Sequence, residues 1–163
     1  MSTEHWNARE SRAWRGLLDA QRLVRERVER ELARETDLSP QDYTVLVALT
    51  EAPDGRLRPT DLAAAISWEK SRLSNHTVRM EKRGLVTREG CRDDGRGSVV
   101  AVTDAGRAAI RSAAPLHRAH VRKYFIDALT AEQQEALIDI SASLIRHVTA
   151  AGRAEGRATA DSP

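Results

Sequence analysis

Between Pro59 and Thr103 the hydrophobic pattern changes from a helical to an alternating period, and this change limits the folds open to the chain. Pro59-Thr60-Asp61 opens a short helix with Leu62, Ala63, Ala65 and Ile66 on its inner side. After a break at Ser67 a second helix runs from Trp68 to Arg83. Gly84 stops it behind two cations, Lys82 and Arg83, that suit the negative end of a helix. Leu85 to Glu89 and Ser98 to Thr103 then read as strands, and the polar, glycine-rich stretch from Gly90 to Gly97 joins them into a hairpin. Two helices with a tight break, followed at once by a hairpin, form a helix-turn-helix with a wing.

The flanking segments are helical. The first 35 residues place Trp14, Leu17, Leu18, Val24, Val28 and Leu32 near helical spacing among Arg and Glu. Ser39 is an N-cap for the next helix, with Pro40 at its first position, Asp42 in its first turn, and Tyr43, Leu46, Val47 and Leu49/Thr50 as its buried face. Pro53-Asp54-Gly55 is a turn, and Arg56-Leu57-Arg58 reads as a short strand. A fifth helix begins near Thr103-Asp104 and runs through Ile110, Leu116, Val121, Tyr124 and Phe125, with Pro115 expected to kink or split it. A sixth begins at the capping box Thr130-Ala131-Glu132-Gln133 and carries Leu137, Ile140, Leu144, Ile145 and Val148 on one face. The expected fold class is mainly α with a small β-hairpin. One domain spans 1–152, with a DNA-binding lobe at 39–107 between dimerisation helices at 1–36 and 108–152. A disordered tail is expected over 153–163, where the chain is rich in Ala and Arg and ends in Pro163.

Composition adds constraints at three points. Aromatic residues are only 4% of the chain, so aliphatic side chains and Ala do most of the packing. The net charge is only +2, so the argument for a nucleic-acid partner rests on where the charge sits. Cys91 is the one cysteine, which excludes an internal disulfide and a cysteine metal cluster. The opening MSTEHWNARESRAW has no apolar core of a signal peptide, and no run of 18 apolar residues occurs, so a cytoplasmic location with no membrane partner is expected.

The helix from Trp68 to Arg83 carries the candidate site. Leu73, Thr77 and Met80 lie on one side of it. The other side offers Lys70, Ser71, Arg72, Ser74, Asn75 and Arg79, donors and acceptors suited to base edges and phosphates in a major groove. At the hairpin tip Arg96 stands between two glycines, as a side chain entering a narrow minor groove requires, and Arg92 adds a second cation. Asp94 is assigned to supporting that tip, since its charge excludes a phosphate contact.

The stretch from Leu62 to Ile110 resembles the MarR-type regulators. The carrying residues are Leu62-Ala63, Ser71 to Ser74, Met80-Glu81-Lys82-Arg83-Gly84-Leu85-Val86, the wing Asp94-Gly95-Arg96, and Val102-Thr103-Asp104-Ala105-Gly106-Arg107. The resemblance implies a sequence-specific transcriptional regulator. Such a protein is usually a repressor, bound as a homodimer to a palindromic double-stranded DNA operator through a recognition helix (68–83) and a wing (90–98), and often released by a small-molecule effector. The chain departs from the pattern at Val78, where an acidic residue is frequent, at Gly95, where a second basic residue is common, and at His76 and Thr77, where Leu, Ile or Val is preferred.

A winged helix used only for protein contact would place apolar groups where this chain places Arg96 and the Ser71/Arg72/Asn75 face. Trp68 reads as a packing staple at the start of the recognition helix. His117 and His120 could ligate zinc from one helix face but lack an evident third ligand, and they read as surface histidines. Cys91 beside Arg92 could be redox-active but reads as incidental. Asp93-Asp94-Gly95 lacks the remaining ligands of a calcium loop. No metal or cofactor is expected, and no catalytic motif is present, so an enzyme is the weakest class.

Overall fold

The computed structural model describes residues 6–90 and 98–160, with side chains from 152 onward excepted. The chain order is α1 (Ala8–Glu35), α2 (Pro40–Glu51), a 3-10 turn (Pro53–Gly55), β1 (Arg56–Leu57), α3 (Pro59–Ala65), α4 (Lys70–Lys82), β2 (Val86–Gly90), β3 (Ser98–Val102), α5 (Asp104–Tyr124), a 3-10 turn (Ile126–Ala128) and α6 (Ala131–Ala160). Internal contacts divide it into two compact units, one ending at Val121 and one beginning at Arg122.

The first unit is built on caps legible in the sequence. Ser39 Oγ accepts from the Asp42 N–H at 3.1 Å, and the Asp42 carboxylate accepts from the Ser39 N–H at 2.9 Å, a reciprocal capping box for α2. α1 has its own box, unread from the sequence, between Asn7 and Glu10. Val45, Leu46, Leu49, Leu62, Leu73, Met80, Val86 and Val100 meet in a core that Leu32, Leu38, Ile110 and Ala113 close. Val45 belongs to this core, whereas Tyr43 and Val47, expected inside, are only partly covered.

The sheet order is β1-β3-β2, all antiparallel. Val86 pairs with Val102 and Gly90 with Ser98, while Arg56 and Leu57 pair with Ala101 and Val100. The expected hairpin thus gains a third strand, which covers the free edge of β3. Gly84 takes a left-handed φ of 71°, and the Leu85 N–H donates back to the Met80 carbonyl at 3.0 Å, ending α4 and turning the chain into β2.

α5 is set on the sheet by Thr103 and Gly106. The Thr103 hydroxyl donates to the Gly84 carbonyl at 2.6 Å and accepts from the Gly106 N–H at 3.0 Å, which caps the helix. A Cβ at Gly106 would come within 2.1 Å of the Leu85 carbonyl oxygen, so only glycine permits this approach. The Thr-x-x-Gly string therefore has a mechanical reason. α5 continues unsplit through Pro115. A proline removes one ladder hydrogen bond, and here that loss does not split the helix.

In the second unit, Thr130 and Gln133 form the expected capping box, with bonds of 2.9 and 3.2 Å. α6 continues past Gly152, where the sequence reading ended it, to Ala160. Ala and Arg recur over that stretch and propagate a helix already nucleated. Ile138, Ile140, Leu144, Ile145 and Val148 are exposed on α6, and α1 exposes Trp14, Leu17, Leu18 and Leu23.

Candidate nucleic-acid interface

α4 is two-faced. Leu73, His76, Thr77 and Met80 are buried, and Lys70, Ser71, Arg72, Ser74, Asn75, Val78, Arg79, Glu81 and Lys82 are exposed. All six helix residues chosen from the sequence therefore lie outside on one element. At 100° per residue, Ser71, Asn75, Val78 and Lys82 form the line farthest from the core, with Arg72 on one flank and Lys70 on the other. Arg92, Asp94 and Arg96, like Cys91, lie outside the described residues. α4 itself starts at Lys70, two residues later than expected, because Ser67 takes a left-handed φ of 54° and Trp68 belongs to the turn. Its N-cap, Glu69, makes no side-chain cap bond, so the first-turn N–H groups keep their capacity for an anion.

Sequence reasoning missed the group that fixes this helix. Asp42 is 1% exposed and touches α4 at two points. The Arg83 guanidinium, just past the end of α4, donates to its carboxylate at 2.6 Å and also to the Asp37 carbonyl. Two turns earlier, His76 Nε2 lies 3.0 Å from Asp42 Oδ1 without hydrogen-bond alignment. Arg79 donates to His76 Nδ1 at 3.0 Å, which puts the neutral imidazole's proton on Nε2, facing Asp42. Burial alone pushes the Asp42 carboxyl upward, but the Arg83 guanidinium and the Ser39 cap outweigh it and hold the pKa below the usual carboxylate value. Burial lowers the His76 pKa, and Arg79 and Arg72 lower it further, against the upward pull of Asp42. The one sequence signal was the Ser39-x-x-Asp42 cap; that Asp42 also meets residues 76 and 83 is a tertiary fact.

A second tie joins the recognition helix to the wing strand. Arg88 on β2 donates to Thr77 Oγ1 at 2.9 Å and to the Ser74 carbonyl at 3.1 Å, and its own N–H donates to Glu81 at 3.1 Å. The helix and the base of the hairpin are thereby fixed to one another, as a two-element reader of adjacent grooves requires. The polar Thr77, unusual at an inward position, is explained by this bond.

The two histidines of α5 go to different partners. His117 stacks on Tyr43 with centroids 4.6 Å apart, and burial, His120 and Arg118 lower its pKa. His120 Nε2 lies 3.1 Å from Glu35. Among the described residues no group of three His, Cys, Asp or Glu could hold a metal ion, and no helix is long and apolar enough to cross a membrane.

The sequence profile of the MarR family matches residues 36–97, which contain α2 to β2. Among solved structures the chain is similar to AbsC, a MarR family transcriptional regulator from Streptomyces coelicolor, with 37% identity, 91% of this chain and 99% of that one covered, and a TM-score of 0.82. It is similar to Sco3205, a MarR family regulator from the same organism in complex with DNA, with 37% identity, coverage of 88% and 94%, and a TM-score of 0.80. It is also 34% identical over 104 residues to the transcriptional regulator HosA of Escherichia coli O157:H7, covering 64% of this chain and 75% of that protein. With the capped winged helix and its outward polar face, these likenesses establish that the chain belongs to the MarR family of DNA-binding transcriptional regulators, which are not enzymes.

Proposed function

We propose that the protein is a repressor that binds a palindromic operator as a homodimer, with α4 in the major groove and the wing (90–98) in the minor groove. The observation that carries this reading is the sidedness of α4. Four residues anchor it to the core and nine are exposed, eight of them polar or charged with Glu81 the one acid. The DNA-bound state of the similar Sco3205 supports it. Release by a small effector has support in a cleft lined by Tyr43, Val47, Ala48, Leu57, Ile66 and His117, beside the stacked Tyr43–His117 pair.

Operator affinity is expected to fall steeply with salt. Lys70, Arg72, Arg79, Lys82, Arg92 and Arg96 from two subunits neutralise phosphates, and each contact contributes about −0.9 to the slope of log affinity against log salt. Fluorescence anisotropy between low and physiological salt measures it; a flat response points instead to a winged helix used for protein contact.

Helix and wing variants should fail differently. Asn75→Ala removes a side chain able to pair adenine, and is expected to cost about 1–3 kcal/mol on the cognate site while relaxing base preference at one position per half-site. Arg96→Ala should weaken cognate and unrelated DNA alike, since the minor groove presents a degenerate pattern. Titration against a panel of single-base changes separates the two. If Arg96→Ala alone alters major-groove base choice, the assignment of roles is wrong.

A further inference from the structure

Trp68 does more than staple the start of α4. Its indole is partly buried against the core, and the Arg72 guanidinium carbon sits 4.3 Å above the ring centroid. The ring is itself held from the side. His76 meets it edge-on at 5.5 Å and 85°, and His76 is gripped in turn by Asp42 and Arg79. The left-handed Ser67 delivers Trp68 to this place from the α3–α4 break.

The basic side chains around α4 are not equivalent. Arg79 spends one N–H on His76, and Arg83 is committed to Asp42 and the Asp37 carbonyl. Lys82 is a flexible point charge. Of these arginines Arg72 alone makes no hydrogen bond among the described residues, and its stacking contact uses the flat face of the guanidinium. Stacking leaves the in-plane N–H donors at the edge unspent. A planar donor fork held at a fixed angle matches the O6 and N7 acceptors that guanine presents in the major groove. An unrestrained arginine would have to lose its rotamer freedom on binding, and one already parked on an indole has lost much of it.

We infer that Trp68 is a positioning residue that holds Arg72 for bidentate recognition of one guanine in each half-site. This rests on the reading that α4 enters the major groove.

The test begins with duplexes selected by the wild-type protein from a random pool. Each guanine of the selected duplex is then replaced in turn by 7-deazaguanine, which lacks the N7 acceptor. Wild type should show one guanine per half-site where replacement weakens binding about tenfold, the loss expected of a broken bidentate pair. Arg72→Ala should bind more weakly and be indifferent to that replacement. Trp68→Leu should also lose the sensitivity at that guanine, and Trp68→Phe, which keeps an aromatic face, should recover most of it. A residue needed only for folding would lower affinity for every duplex in proportion and leave the sensitivity intact. Arg72→Met, which keeps a long side chain beside the indole but no donor, gives an independent check that leaves Trp68 in place; it should lose the 7-deazaguanine effect. Retention of the tenfold effect in Trp68→Leu, Arg72→Ala or Arg72→Met overturns the inference. Wild type that binds DNA but has no sensitive guanine overturns it while leaving the DNA-reading proposal standing, and wild type that binds no duplex overturns both.

Discussion

Asp42→Ala is expected to lower the unfolding free energy by about 2–3 kcal/mol, below the range for wholly buried pairs because Arg83 can turn toward water. Three supports disappear together. The Ser39 N–H loses its acceptor, Arg83 loses its 2.6 Å partner, and the buried His76 loses the only carboxylate beside it among the described residues. Urea unfolding at neutral pH measures the effect, and a loss under about 1 kcal/mol, the scale of an exposed ion pair, would refute the central role given to this carboxylate.

The same cluster sets a pH dependence. The folded-state pKa of Asp42 lies below its unfolded value, so its contribution is present above about pH 3.9 and is lost as pH falls through the lower folded pKa. His76 is also depressed when folded, so the unfolded chain takes up its proton first. That contribution is present above about pH 6.5 and fades on acidification. His117 is depressed as well and acts in the same window, so the readout is a difference between proteins. His76→Gln should show less loss of stability than wild type between pH 7 and 5, with the acid limb due to Asp42 unchanged. Equal losses in the two proteins would show that His76 does not carry this linkage.

Ile140→Asp combined with Leu144→Asp is expected to convert the protein from a dimer to a monomer of 18.1 kDa at micromolar concentration. In the single chain these residues are 55% and 48% exposed, so the substitutions should leave the helix and its capping box intact. In the proposed dimer each is covered by the partner, at about 1.5 kcal/mol or more per side chain. Four such side chains across a two-fold amount to roughly 6 kcal/mol, about four decades in dissociation constant. Charges placed there carry a further desolvation cost. Sedimentation reads the mass directly, and circular dichroism checks that the helices persist. A double variant that stays dimeric would place the interface elsewhere and weaken the case for a palindromic operator.

What the sequence determined by itself was local and periodic. The spacing of Leu73, Thr77 and Met80 gave α4 its buried side and so exposed Lys70, Ser71, Arg72, Ser74, Asn75 and Arg79 on the other. The Ser39 and Thr130 caps, the strands on both sides of the hairpin, and the stop at Gly84 were legible for the same reason, since each depends on neighbours within about one turn. The tertiary structure decided which distant groups meet. Asp42 reaches Arg83 across 41 residues, Arg88 reaches Ser74 from the wing strand, and β1 closes on β3. No periodicity announces such pairs. The inward polar residues His76 and Thr77 looked like departures from the family pattern, and only the fold put Asp42 beside the first and bonded Arg88 to the second. The Trp68–Arg72 stack is close in sequence, yet it too required the left-handed turn at Ser67 and the edge of His76 to hold the indole in place. Periodicity assigns a side chain to the inside or the outside of its element. The partner it finds there depends on how elements far apart in the chain pack together, which is decided by burial and hydrogen-bond satisfaction over the whole core.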